Sequence, residues 1–148
     1  MKGMQLAWKA SIEAPGVGGK HKTSYRIGAC LTRGDEILEV RHNSYKTHPY
    51  LAKLTKYPFL HAESHCLLAH GIDNCDGTTI YVVRTLRDGT PANAKPCDVC
   101  QGIMLDVGVK VCYYTQDQNS IGVMRFKPIP RGMRQDTQLS FFSTKEGR

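Results

Sequence analysis

The sequence predicts an α/β fold, a three-layer α/β/α sandwich around a mixed five-stranded sheet. Three observations predict it. Segments with helical apolar spacing alternate with short runs rich in β-branched residues, the pattern of strands covered by helices. The run 79–84 (Thr79, Ile80, Tyr81, Val82, Val83, Arg84) is apolar enough to be buried on both faces and is followed by a helical stretch, so it points to a parallel crossover. Two other strand pairs are joined by connections too short to hold a crossover helix, so they pair antiparallel.

Taken in order, residues 4–13 read as a short amphipathic helix whose apolar residues are Met4, Leu6, Ala7, Trp8 and Ile12. Pro15-Gly16-Val17-Gly18-Gly19-Lys20 ends it. This stretch lacks the spacing of a phosphate loop and reads as a plain glycine loop. Residues 25–32 (Tyr25, Ile27, Ala29, Cys30, Leu31) form a buried strand, Arg33-Gly34-Asp35-Glu36 a turn, and 37–42 the returning strand of a β-hairpin. A polar and aromatic loop leads to Leu60. Residues 61–70 form a helix with Leu67, Leu68 and Ala69 on its core side, closed by Gly71. Residues 86–95 read as one long loop with a turn at Asp88-Gly89. A third helix covers 97–107, burying Ile103, Met104, Leu105 and Val107, and Gly108 ends it. Strands at 109–114 and 121–126 close the pattern, which fades from Lys127. The expected organisation is one domain over 1–127 and a basic C-terminal extension over 128–148, partly disordered or docking through Phe141-Phe142.

Two of these helices begin on residues with chemistry. His61-Ala62-Glu63 opens one, and Pro96-Cys97-Asp98-Val99-Cys100 opens the other. One histidine and two cysteines make three metal ligands, the count that leaves a fourth position open for water in a catalytic zinc site. Cysteines three apart lie on one side of a helical first turn, where the positive helix end favours thiolates. Glu63 is placed to reach water rather than the ion and to move its proton. Two plainer readings stand beside this one. A structural zinc site would need a fourth protein ligand, and His65 and Cys66 are near. A redox C-x-x-C would leave His61 and Glu63 without a part. The string HAESH is not the zincin motif, in which the glutamate directly follows the first histidine.

Across roughly residues 24–126 the chain resembles the zinc-dependent cytidine and deoxycytidylate deaminase superfamily, whose signature is H-x-E followed by P-C-x-x-C with a non-ligand glutamate. The resemblance implies a cytidine deaminase-like sandwich with both zinc helices side by side on one face. It implies one zinc ion per chain on His61, Cys97 and Cys100, and hydrolytic deamination with Glu63 as the acid and base. It also places Asn43 at the position of an asparagine that contacts the sugar, with an ordinary strand-end residue as the plainer reading. Lys46, Thr47 and His48 offer donors for a phosphate, with a capped turn before Pro49 as the plainer reading. Ala62, Lys95 and Pro96, in and beside the motifs, complete the expected substrate contacts. The chain departs from relatives in its long loop before Pro96, where Ala94-Lys95 stands for an acidic residue or serine. Its final hairpin resembles the free-cytidine branch, whereas Asn43 and the H-A-E wording resemble the deoxycytidylate and nucleic-acid branch.

The formal charge of +7 points to a phosphate-bearing partner, or merely to a solvated basic surface. What the resemblance implies as substrate is a cytosine nucleotide, deoxycytidine monophosphate first. The alternatives are a cytosine or adenine in single-stranded nucleic acid and a zinc-stabilised binding module without turnover. The sequence has no apolar run near 18 residues and no N-terminal signal region, so no membrane role is expected. Cys30, Cys66, Cys75 and Cys112 lie in or beside apolar runs and read as reduced thiols, which fits the cytoplasm. The resemblance further implies a homo-oligomer.

Overall fold

The computed structural model describes residues 1–14, 26–47 and 59–127. The glycine loop, His48 and the expected extension at 128–148 lie outside the described residues. Helix α1 spans Lys2–Glu13, strands β1 Arg26–Arg33, β2 Glu36–His42, β3 Ser44–Thr47 and β4 Phe59–Leu60, and helix α2 Ala62–His70. They are followed by β5 Thr79–Thr85, β6 Pro91–Ala92, α3 Asp98–Val107, β7 Val111–Thr115 and β8 Ile121–Arg125.

The main sheet runs β2-β1-β5-β7-β8, with the short β6 added beside β5. The β1–β2, β1–β5 and β7–β8 pairs are antiparallel, and β5–β7 is parallel because α3 between them returns the chain to the same end. The sheet is therefore mixed. It carries α1 on one face and the adjacent α2 and α3 on the other.

Strand alternation divides β5 between two cores. Ile80 and Val82 join Ala29, Leu31, Cys66, Leu67, Ile103, Met104 and Cys112 under α2 and α3. Val83 joins Ala7 and Cys30 under α1, with Tyr81 packed alongside. Burying each of the larger aliphatic side chains contributes about 1.5–3 kcal/mol relative to exposure. The chain reversal after α3 is a Schellman turn. Gly108 sits at φ 93°, its N–H reaches Leu105 O, and the Val109 N–H reaches Met104 O at 3.0 Å.

Helix α1 differs from expectation. Its buried face is Gly3, Ala7, Ala10 and Ser11, whereas Trp8 is 42% and Ile12 52% exposed. Small residues win because the helix lies too close to the sheet for large ones. A methyl group on Gly28 of β1 would run into the Ala7 carbonyl oxygen and the Ser11 amide nitrogen.

Two stretches read as loop from the sequence contain strand pairing. Residues 86–95 do not form one long loop. The Leu86 N–H donates to Thr90 O at 2.9 Å, the Thr90 N–H and hydroxyl both donate to Asp88, and Pro91–Ala92 pairs back onto β5, making a hairpin. The loop before His61 is tied at its base, where Ser44 pairs with Leu60 and Thr47 with Phe59.

The close helix–sheet contact predicts opposite effects for two glycines. Gly28→Ala should destabilise the protein by about 1–3 kcal/mol through overpacking. Gly102→Ala, on the open face of α3 with nothing near its added carbon, should stabilise by about 0.5–1 kcal/mol. Chemical denaturation of both variants checks the pair, and a neutral Gly28→Ala would contradict the packing described.

Candidate functional site

The site lies where α2 and α3 begin. His61 is the N-cap of α2 and Cys97 the N-cap of α3, and neither side chain is used for capping. His61 follows directly on Leu60, whose strand pairing with Ser44 also fixes Asn43 on the neighbouring backbone. Cys97 arrives from the β5–β6 hairpin. The Ala94 N–H donates to Thr115 O at 2.8 Å, and the Thr115 hydroxyl donates to Ala92 O at 2.7 Å, so the approach to Cys97 is fastened to the carboxyl end of β7. The site thus sits outside the carboxyl ends of the parallel strands β5 and β7, where crossover folds place their ligands.

His61 Nδ1 is 3.2 Å from Cys100 Sγ and 3.9 Å from Cys97 Sγ. All three donor atoms lie within 4.8 Å of one another, and they are the one such group among the described residues. A tetrahedral zinc ion, with sulfur at about 2.3 Å and nitrogen at about 2.0 Å, sets neighbouring donors roughly 3.5–3.8 Å apart. The donor set and its spacing fit that ion. Cys100 is buried, His61 half-buried and Cys97 exposed.

The electrostatics separate the two thiols. The hydrogen bond from Cys100 and the contact with His61 bring the Cys97 thiol down to about 4, against the opposing effect of burial. The Cys100 thiol is raised, first by that same hydrogen bond and then by burial. The His61 imidazole is raised, chiefly by its bond to Cys97. By contrast burial pushes the Cys30 thiol up to about 11 and raises Cys66 and Cys112 further. These and Cys75 are all buried, and the Cys75 thiol donates to Gly71 O at 3.2 Å.

Glu63 stands in the first turn of α2 and is only 3% exposed. Burial raises its carboxyl, with His61 acting in the opposite direction. Its Oε1 is buried and has no hydrogen-bond partner. A carboxyl oxygen left in this state is costly unless the site supplies a partner when loaded. Ala62, beside it, is fully buried.

The other expected residues are placed as follows. Asn43 is buried, and its Oδ1 accepts the Ile27 N–H at 3.1 Å while its own N–H donates to Ile27 O. That end of the carboxamide therefore serves the β1–β2 hairpin. Lys46 and Thr47 lie on the backbone of β3, and His48 falls outside the described residues. Pro96 is buried and Lys95 exposed, its N–H bonded to Asn93 Oδ1. His65 is not among the donors grouped with His61. Its Nδ1 lies 3.3 Å from the His42 carbonyl. The sequence singles out neither Thr115 nor Gln101, whose Nε2 donates to Pro96 O at 2.7 Å. No motif marks either one, and only the tertiary bonds show what they hold.

The comparisons with known proteins agree with this geometry. The family model for the cytidine and deoxycytidylate deaminase zinc-binding region matches residues 2–116. Among solved structures, the chain is similar to a cytidine deaminase from Burkholderia pseudomallei, with a TM-score of 0.54 and 22% identity over 84% of this chain and 90% of that one. At that identity the likeness establishes the fold. No curated protein matches the chain. No helix among the described residues is long and apolar enough to cross a membrane. With more than half its length matched to that family, and with one imidazole and two thiols gathered at two helix starts, the chain belongs to the cytidine and deoxycytidylate deaminases.

Proposed function

We propose that this chain is a zinc-dependent hydrolytic deaminase of a cytosine nucleotide, with deoxycytidine monophosphate converted to deoxyuridine monophosphate. The observation that carries the reading is Glu63, a buried carboxyl with an unpartnered oxygen, set two residues from His61 and next to the Cys97–Cys100 pair. A purely structural metal site has no use for such a group. His61, Cys97 and Cys100 are the ligands in this reading, and residues 1–127 the deaminase domain. When bound, zinc supplies Lewis-acid activation of water.

The residues do the rest. The Glu63 carboxylate would take one proton from the attacking water and pass it to the ring nitrogen of cytosine as the water oxygen bonds to C4, then take that oxygen's second proton and pass it to the amine as the C4–N bond breaks, leaving a uracil nucleotide and ammonia. Its burial keeps that proton out of exchange with bulk solvent, and the raised affinity for it brings the acid and base forms closer to working pH. The backbone pairing of Ser44 with Leu60 puts Asn43 next in line to His61, which supports a place for it beside the sugar. Lys95, exposed one residue before Pro96, supports a phosphate contact on the open side.

The metal assignment predicts about one zinc per chain in the purified protein. Cys97→Ala and Cys100→Ala should each lose the metal and, since metal binding couples to folding, stability as well. Elemental analysis with thermal denaturation checks this, and full occupancy in the double variant would rule out the site.

For Glu63→Gln the expectation is a folded protein that keeps its zinc while turnover falls by about 10²–10⁴-fold. Ammonia release against metal content measures both. Near-normal turnover would move the proton to another group.

The substrate assignment is tested by ammonia release from cytidine, deoxycytidine, deoxycytidine monophosphate and a cytosine-containing oligonucleotide at equal concentration. The monophosphate should react fastest, and Lys95→Ala should raise its KM more than that of the nucleoside. Faster reaction of the oligonucleotide, with steep loss on added salt, would place the chain with the nucleic-acid deaminases.

A further inference from the structure

We infer that Gln101 is the positioning residue for Cys97, and that its side chain replaces the packing that this ligand lacks. The inference rests on the zinc-site reading above. The three donors are held in different ways. Cys100 is 3% exposed and packed among Ala62, Met104 and Cys112 in the core beneath α2 and α3. His61 is half-buried at the end of the β3–β4 pairing. Cys97 is exposed, so core packing does not fix the peptide that carries it.

Gln101 closes that gap. Its backbone N–H donates to Cys97 O at 2.9 Å, the first bond of α3. Its side-chain Nε2 donates to Pro96 O at 2.7 Å. The two bonds grip the carbonyls on either side of Cys97. Together they hold the peptide plane between Pro96 and Cys97, and with it the direction of the Cα–Cβ bond that aims the sulfur. The pairing joins the residue before the N-cap to the fourth residue of the helix, the place where an apolar staple often fixes the entry of the chain. Here a hydrogen bond does that work, and it is short and half-buried rather than exposed. Upstream, the bond from Ala94 N–H to Thr115 O fixes the chain only as far as two residues before Pro96. Apart from Gln101, the segment from Lys95 to Cys97 is held by the local bond of Lys95 N–H to Asn93 Oδ1 and by the long 3.9 Å contact of Cys97 Sγ with His61 Nδ1. Groups that orient a ligand typically change metal affinity by about 10–100-fold when removed.

The test uses Gln101→Met, which keeps length and loses the donor, and Gln101→Glu, which sets a carboxylate against the Pro96 carbonyl. Zinc affinity by competition with a chromophoric chelator should fall about 10–100-fold in the Met variant and further in the Glu variant. The cobalt-substituted proteins should show a weakened thiolate-to-metal charge-transfer band. Thermal denaturation of the metal-free variants should match the metal-free parent closely, which a merely structural role for Gln101 would not allow. Zinc affinity and cobalt spectra equal to the parent in both variants would overturn the inference while leaving the metal site standing. A parent chain that binds no zinc would overturn both.

Discussion

The site exists because two helices must begin at the same end of the sheet and on the same face. Helix α3 is confined there by the parallel pairing of β5 with β7, which forces the intervening chain over one face in a right-handed crossover. Helix α2 is confined there by the pairing of Ser44 with Leu60, which returns the chain to the end of β2 before His61. The core then locks the two helices together, since Ala62, Leu67, Ile103 and Met104 share one apolar cluster with Ile80 and Val82 of β5. Three donors from distant parts of the sequence meet because the topology allows these helix starts no other place.

That geometry came at a local cost in helix capping. Side chains that accept hydrogen bonds from the first turn, such as serine or aspartate, contribute about 0.5–2 kcal/mol at an N-cap. The two N-caps here are a histidine and a cysteine, and neither makes that bond. The conflict between local preference and observed residue is itself a sign of function. The opposite face shows the reverse balance. Under α1, Gly3, Ala7 and Gly28 are small so that helix and sheet can touch, and the only demand there is close packing.

This difference explains what the sequence made legible. Strand periodicity, connection lengths and the two motifs were enough to place every long element and to single out His61, Glu63, Cys97 and Cys100, because those signals are local. Trp8 and Ile12 were misread, since an apolar residue is a good sign of burial only where space exists, and the space under α1 is set by Gly28, a residue on another element. The hairpin at 86–92 was read as loop because its returning strand is only Pro91–Ala92, too short for a periodic signal and tied from outside by the Thr115 hydroxyl on β7. The Asn43 carboxamide could not be read as a sheet bond from spacing, since its partner Ile27 is 16 residues away.

The electrostatic arrangement follows from the same two helix starts. Both present the positive ends of their dipoles to the donors, which favours thiolate at Cys97 and carboxylate at Glu63. Burial opposes this unequally. Cys97 is exposed, and with Cys100 and His61 beside it the thiol is brought far down. Glu63 is enclosed, and there burial prevails and the carboxyl is raised. The same two helix starts therefore carry one lowered thiol and one raised carboxyl. The gradient of exposure also orients the site. With Cys100 closed off by the core and Glu63 enclosed, the side bearing Cys97 and Lys95 is the one that faces solvent.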